Sequence, residues 1–111
     1  MNQERIKKLE SAIFELASSF LLEQVKEIES DFGIINITGV KLSSDLTYLD
    51  IYVSSFKNQD ILTKTLADYA KDIQRFLAKK MTLRIVPRVR FRYDDKGEVA
   101  QDVTIAINKL K

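Results

Sequence analysis

The architecture of this chain follows from one stretch of alternating apolar and polar residues, IINITGVKLSSDLTYLDIYV (residues 34–53). The apolar residues recur with a period of two, which predicts β-strands with one buried face. The alternation slips by one residue at Gly39, which predicts a β-bulge, and Ser43-Ser44-Asp45 has the composition of a turn. The stretch therefore predicts a β-hairpin whose inward residues are Ile35, Ile37, Val40, Leu42, Leu49, Ile51 and Val53.

A helical pattern lies on each side of this hairpin. Before it, apolar residues at steps of three and four predict a helix over about residues 3–27, with Asn2 as a cap and Gly33 closing the following turn. After it, a second helix begins near Asn58 or Asp60, either of which can cap it. The apolar face of this second helix comprises Ile61, Leu62, Leu66, Tyr69, Ile73, Phe76, Leu77 and Met81.

A third strand is predicted over about residues 83–93. Its inward residues would be Leu83, Ile85, Val89, Phe91 and Tyr93, and its outward residues Arg84, Arg88, Arg90 and Arg92. The order of elements is then α-β-β-α-β. This order predicts a two-layer α+β domain with helices on one face of a three-stranded sheet.

Length and composition indicate one domain, residues 1–111, with 45% apolar and 31% charged residues. We expect no membrane span and no secretion signal, and hence a cytoplasmic location. The segment 96–111 is expected to be a flexible or helical tail. Its residues Val99, Val103, Ile107 and Leu110 fit a helix, whereas Val103, Ile105 and Ile107 fit a strand.

The chain contains no cysteine and no histidine, and only three glycines. Disulfides, thiolate metal sites, cysteine nucleophiles and the commonest general base are therefore excluded. The three glycines form neither a phosphate-binding loop nor a dinucleotide fingerprint. We expect no cofactor and no metal, and what remains for an enzyme is carboxylate, lysine, serine or tyrosine chemistry.

Positive charge is concentrated in residues 71–92. This segment holds eight basic residues and one acidic residue, net +7, whereas the whole chain carries +2 and the remaining 89 residues therefore −5. Such a concentration attracts a polyanion, of which nucleic acid is the commonest. The eight basic residues are Lys71, Arg75, Lys79, Lys80, Arg84, Arg88, Arg90 and Arg92.

The arginines of the third strand repel one another, because alternate residues lie about 6.6 Å apart on one face. Asp50 on the second strand is the one evident internal partner, so we expect an external anion to compensate them. Tyr48 and Tyr52 lie on the same outward face, where they either stack on bases or pack across strands. The lysine and arginine stripe of the second helix is expected on the opposite side of the domain, out of reach of the same flat duplex.

Three segments occur in an order and spacing typical of one family. They are Val40-Lys41-Leu42-Ser43-Ser44-Asp45-Leu46 with Tyr52-Val53-Ser54, then Met81-Thr82-Leu83-Arg84-Ile85-Val86-Pro87, then Phe91-Arg92-Tyr93-Asp94. With them the chain resembles bacterial ribosome-binding factor A over nearly its whole length. The resemblance implies a type II KH-like domain that binds the small ribosomal subunit and its ribosomal RNA, assists late maturation of that RNA, and is linked to cold adaptation.

The resemblance also implies a non-enzymatic monomer that meets other assembly factors on the subunit. A KH domain ordinarily clamps RNA through a Gly-x-x-Gly loop, which this chain lacks. The family instead has an Ala-x-Gly kink. The matching residues here are Tyr69-Ala70-Lys71, without the glycine, which leaves open whether the second helix is kinked.

The residues expected to bind RNA are Arg84, Arg88, Arg90 and Arg92, then Lys71, Arg75, Lys79 and Lys80, with Arg5 and Lys8 as weaker candidates. Two other interpretations stay open for a binding protein: a generic KH-like RNA-binding module, or a protein-interaction adaptor not tied to the ribosome. A metal-dependent nuclease would use Asp94 and Asp95 with Asp45, although Asp94-Asp95-Lys96-Gly97 also has the composition of a turn.

Overall fold

The computed structural model describes residues 3–94, and its order of elements confirms the α-β-β-α-β prediction. Helix α1 (Gln3–Gln24) continues through a 3₁₀ turn into the short helix α2 (Glu29–Phe32). Strands β1 (Ile35–Leu42) and β2 (Tyr48–Ser55) form the hairpin. Helices α3 (Leu62–Leu66) and α4 (Ala70–Met81) follow, and strand β3 (Arg88–Tyr93) closes the sheet.

The three strands form one mixed sheet in the order β1-β2-β3, with β1 antiparallel and β3 parallel to the central strand β2. The register of β1 on β2 shifts between Ile37 and Gly39, which confirms the predicted bulge. After the shift, Gly39 lies opposite Tyr52. The parallel register places Asp50 opposite Arg90 and Tyr52 opposite Arg92.

The core lies between the sheet and one layer of helices, which confirms the two-layer α+β architecture. Leu49, Ile51 and Val53 of β2 are fully buried, whereas the alternate residues of that strand are only partly buried. Helix α1 runs antiparallel to α4, because Phe20 stacks on Phe76 at 4.5 Å and Glu27, further along the first helical segment, bonds Tyr69 at the start of α4. No helix among residues 3–94 is long and apolar enough to cross a membrane.

The hairpin turn is held by side chains, as its composition predicts. The Asp45 carboxylate accepts hydrogen bonds from the Ser43 hydroxyl at 2.8 Å and from the Thr47 amide at 3.0 Å. The Ser43 oxygen in turn accepts the Tyr48 amide at 2.9 Å. These bonds, led by the one from the Thr47 amide, lower the pKa of Asp45 below its usual 3.8.

The Asp45 carboxylate in this turn makes the free energy of unfolding depend on pH. A carboxyl group whose pKa is lower in the folded state stabilises the fold above its unfolded pKa, and this contribution is lost as pH falls through the folded pKa. We therefore expect D45N to lower the free energy of unfolding at neutral pH and to differ little from the parent well below pH 3.8. Urea unfolding of both proteins across this range measures the difference, and a deficit that persists unchanged in acid would contradict it.

Two local predictions are wrong. The strand predicted from residue 83 begins at Arg88, and Ile85, expected to face the core, is 64% exposed. The residue at the end of α4, Thr82, has a left-handed conformation (φ 52°), which ends the helix and starts a loop over residues 82–87. Pro87 donates no backbone hydrogen bond, so the first bond from this segment to the hairpin is Arg88 N–H to Thr47 O at 2.8 Å.

The start of the second helical region also differs from the prediction. Neither Asn58 nor Asp60 caps a helix with its side chain. Asn58 has a left-handed backbone (φ 55°) and its amide instead donates to the Asp31 carbonyl at 2.6 Å. Gly33 closes the first helical region as predicted: its φ is 72°, and a side chain there would meet Phe56 at 2.9 Å. Asn2 lies outside the described residues.

Candidate nucleic-acid interface

The outer face of the sheet, turned away from the helices, carries most of the expected RNA-binding arginines. Arg88, Arg90 and Arg92 alternate along β3 with the inward Val89 and Phe91. Lys41 of β1, Asp50 of β2 and Arg90 of β3 stand in one row across the sheet. Tyr48 and Tyr52 flank Asp50 on the central strand, so the strands of this face carry four cations, one carboxylate and two aromatic rings. Asp94, just after β3, adds a second carboxylate, which accepts a hydrogen bond from Thr38 of β1 across the central strand.

Asp50 pairs with two of these arginines, closely with Arg90 and more loosely with Arg92, although an external anion was expected to compensate the stripe. Arg90 Nε lies 2.7 Å from one carboxylate oxygen of Asp50, and its terminal nitrogen lies 3.2 Å from the other. This is a bidentate pair, the stronger geometry for such contacts. The guanidinium also lies 4.1 Å from the centre of the Tyr48 ring, so Arg90 is held from two sides.

The other cations of this face remain available to a ligand. Arg92 forms a looser ion pair, with its Nε 3.7 Å from Asp50, which is too long for a hydrogen bond. Lys41 and Arg88 are exposed and form no ion pair with a carboxylate among residues 3–94. Lys41, Arg88 and Arg92 therefore carry the charge that the outer face can offer to phosphates.

The Asp50–Arg90 pair predicts opposite effects on stability and on RNA binding. Replacing Asp50 by asparagine leaves the partly buried guanidinium without its anion, so we expect D50N to lower the free energy of unfolding by about 1 kcal/mol. The same change frees a cation, so affinity for a generic RNA at low salt is expected to rise by roughly two- to fivefold. Urea unfolding and fluorescence anisotropy with a labelled RNA measure the two effects; weaker RNA binding by a folded D50N protein would contradict the second.

The basic stripe of the helix layer lies on α4, as predicted, and its members are exposed. Arg75 is paired with Asp72 at 2.7 Å, one helical turn away. Both groups are well exposed, so the pair contributes little to stability. Lys80 lies 5.9 Å from the ring centre of Phe76, whereas Lys71 and Lys79 form no ion pair with a carboxylate among the described residues.

The two stripes, expected on opposite sides, are joined at one end of the domain. Helix α4 ends beside Lys79 and Lys80, the loop that follows carries the exposed Arg84, and Arg88 then begins β3 next to the hairpin turn. The cations at the end of α4, in the loop and at the start of β3 therefore follow one another along the chain at this end of the domain, although the sequence pattern separated them by face. We call this surface the basic band and define it as Lys41, Lys79, Lys80, Arg84, Arg88 and Arg92.

Arg5 and Lys8 lie toward the same end. Because α1 is antiparallel to α4, the first turns of α1 lie beyond the C-terminal end of α4. Glu10, just after them, confirms this placement, since its carboxylate accepts the Leu42 amide at 2.7 Å next to the hairpin turn. Arg5 and Lys8 are exposed and flank the basic band.

The second helical region does not run straight. A 3₁₀ turn, Ala67–Tyr69, separates α3 from α4 immediately before Ala70, so an interruption occurs without the glycine of the family's kink. The Tyr69 hydroxyl donates to the Glu27 carboxylate at 2.6 Å, and this bond, with some burial, raises the pKa of Tyr69 to about 12. The neutral phenol thus ties the interruption to the end of the first helical region.

A cleft of about 500 Å³ lies between this interruption and β3. Ala67 and Ala70 line its helical side, and Phe91 lines its strand side. The Val89 amide at this edge of the sheet is occupied by the side-chain oxygen of Gln74 at 3.0 Å. The sequence pattern did not reveal this cleft, because it depends on the packing of two segments 20 or more residues apart.

Asp45 and Asp94, the two described carboxylates considered for a nuclease, are not brought together. Asp45 lies in the hairpin turn, whereas Asp94 follows β3 and bonds Thr38 at 2.8 Å and the Val53 carbonyl. Five residues of β2 separate the two ends, about 16 Å of strand. Asp95 and the tail 96–111 lie outside the described residues, and within residues 3–94 no cluster of three or more acidic side chains suits a metal ion.

Comparison with known proteins gives the family. The family model for ribosome-binding factor A matches residues 5–107. The chain belongs to the ribosome-binding factor A family. Among curated members of this family, the protein of Microcystis aeruginosa is 32% identical over 99% of this chain and 88% of its own length. The protein of Pseudothermotoga lettingae is 33% identical over 93% of this chain and 88% of its own length.

Solved structures share the fold. A Thermotoga maritima protein studied in solution aligns with a TM-score of 0.69 and 28% identity, over 86% of this chain and 92% of that one. The crystal structure of ribosome-binding factor A from Thermus thermophilus aligns with a TM-score of 0.65 and 22% identity, over 79% of this chain and 94% of that one. The KH-like fold expected from the resemblance is thereby confirmed. The Thermus thermophilus factor has also been fitted into a cryo-EM map of its complex with the 30S subunit.

Proposed function

We propose that this chain is a non-enzymatic assembly factor that binds the small ribosomal subunit and assists late maturation of its ribosomal RNA. The observation that carries the proposal is the basic band on a KH-like domain of the ribosome-binding factor A family. The family name describes ribosome binding, and the 30S complex of the Thermus thermophilus member indicates which subunit to test.

Binding energy, rather than chemistry, would perform this function. Each lysine or arginine that meets a phosphate releases counterions, so affinity falls steeply with salt. Folded RNA offers shape and phosphates more than readable base edges, so a band that bends around one end of the domain suits a site where RNA elements meet. Occupying such a site would hold the RNA in one arrangement while processing proceeds around it.

The residues proposed to contact RNA are ranked by how tightly other side chains of the domain already hold them. Arg84, Arg88, Lys79, Lys80 and Arg92 of the basic band come first, with Lys41 added from β1. Arg90 is assigned a supporting role, because Asp50 and Tyr48 hold it. The secondary candidates are Lys71, Arg75, Arg5 and Lys8.

Three further features belong to the proposal. The protein acts in the cytoplasm, where ribosomal subunits are assembled. It acts as a monomer, with the basic band facing the RNA. Other assembly factors share the subunit with it, and growth in the cold, when misfolded RNA persists longer, is where its loss would matter most.

The test is co-sedimentation of the purified protein with isolated small and large subunits across a series of salt concentrations. We expect binding to small subunits that weakens as salt rises, and markedly less binding to large subunits. Equal binding to both would favour the alternative of a generic KH-like RNA-binding module. Binding to neither subunit at low salt would refute the proposal.

A further inference from the structure

Tyr52 is the aromatic residue on the outer face of the sheet that the structure leaves without a partner. Its side chain is partly exposed and makes no hydrogen bond, ion pair or ring contact with residues 3–94. Tyr48, two residues before Asp50 on the same strand, is covered by the Arg90 guanidinium at 4.1 Å. One ring of the pair is therefore covered by a cation, whereas the other has no such contact among residues 3–94.

The neighbours of Tyr52 suit a nucleotide. On one side its cross-strand partner is Gly39, which places no side chain beside the ring. On the other side its partner is Arg92, on a strand about 4.8 Å away. The Arg92 guanidinium is half exposed and forms only a loose ion pair with Asp50, at 3.7 Å. Lys41 lies diagonally across, about 7–8 Å from Tyr52, and forms no ion pair with a described carboxylate.

We propose that Tyr52 is a stacking platform for one unpaired RNA base, with Arg92 and Lys41 binding the phosphates beside that base. An aromatic ring flanked by cations is the common arrangement for binding single-stranded nucleic acid, since every base has a face that stacks. The inference rests on the proposed function and narrows it: the chain recognises an unpaired segment of the RNA, in addition to folded elements contacted by the rest of the basic band.

A duplex cannot use this platform. Its bases are stacked on one another inside the helix and present only edges and phosphates to a protein surface. Arg92 and Lys41 would still attract a duplex, because phosphate contacts do not depend on strand pairing. Removing the Tyr52 ring should therefore weaken the binding of unpaired RNA more than the binding of duplex RNA, whereas removing a cation should weaken both.

The test measures fluorescence anisotropy of a labelled ten-nucleotide oligouridylate and of a labelled ten-base-pair RNA duplex with Y52L, Y52F and the parent protein. Y52L is expected to weaken oligouridylate binding about tenfold, the loss of one base–aromatic stack, and duplex binding less than about twofold. Y52F keeps the ring and is expected to stay within about twofold of the parent on both RNAs. The salt dependence should not change, because no charge is removed.

The matched control is F56L, which removes an exposed aromatic ring (82% exposed) outside the basic band and is expected to stay within about twofold of the parent on both RNAs. Equal weakening of both RNAs by Y52L, no weakening by Y52L, or failure of the parent to bind oligouridylate at low salt would each overturn the inference. Co-sedimentation of the parent protein with small subunits tests the proposed function independently. If the parent binds small subunits, the proposed function stands even when the oligonucleotide measurements overturn the role of Tyr52.

Discussion

R88E/R92E is expected to weaken binding to small ribosomal subunits by roughly 100-fold at low salt. Each arginine loses a charge-assisted contact to phosphate, and two such contacts are together worth on the order of 3 kcal/mol. The slope of log affinity against log salt should also fall by about 2, since two phosphates are no longer neutralised. Titration of labelled protein with small subunits at several salt concentrations measures both quantities.

The control for this double variant is K26E/K57E. It makes the same change in net charge, from +2 to −2, at two exposed lysines outside the basic band. We expect it to weaken binding by less than about threefold, through the long-range field alone. Equal losses in the two variants would mean that net charge, rather than the outer face of the sheet, controls binding.

Leu21→Ala is expected to lower the free energy of unfolding by about 3 kcal/mol. Leu21 lies in α1 with its side chain fully buried against the sheet, so its truncation removes apolar contacts and leaves a cavity. A loss of this size is a large fraction of the stability of a domain of this length. Urea unfolding monitored by circular dichroism measures it.

The neighbouring residue supplies the matched control. Leu22 is 44% exposed on the same helix, so L22A removes the same atoms from a site that is partly in water. We expect a cost below about 1 kcal/mol. Similar costs for L21A and L22A would contradict the placement of the core between α1 and the sheet.

The hairpin was predictable because its determinants are local. The period of two, the slip at Gly39 and the Ser43–Asp45 turn are all readable within twenty residues, and each is present in the structure. The charge concentration in residues 71–92 was equally plain. The position of this charge in the fold depends on the loop over residues 82–87, most of which the alternation of apolar residues predicted to be part of a strand.

The error at residues 83–87 has a definite cause. Apolar residues alternate through Leu83 and Ile85 as they do in β3, so the pattern predicts one longer strand. The chain must instead pass from the helix layer to the sheet after Thr82, and Pro87 donates no bond to a neighbouring strand. The backbone leaves the ladder there, and the loop carries the exposed Arg84 between the charges of α4 and those of β3.

The contacts that define the site are non-local. The pairing of Asp50 with Arg90 follows from the parallel register of β2 and β3, which no local pattern specifies. That pairing withdraws Arg90 from the candidate ligands and covers Tyr48, which singles out Tyr52. The helical interruption before Ala70 has no glycine or proline to mark it and coincides with the Tyr69–Glu27 contact across 42 residues.

A cryo-EM map of the chain bound to the small subunit tests most directly which surface of the domain contacts RNA. We predict density for ribosomal RNA against the basic band and the outer face of the sheet, with phosphates near Arg88 and Arg92 and an unpaired base near Tyr52. A bound domain whose outer sheet face is turned to solvent or to a ribosomal protein, with RNA against other surfaces, would contradict the account.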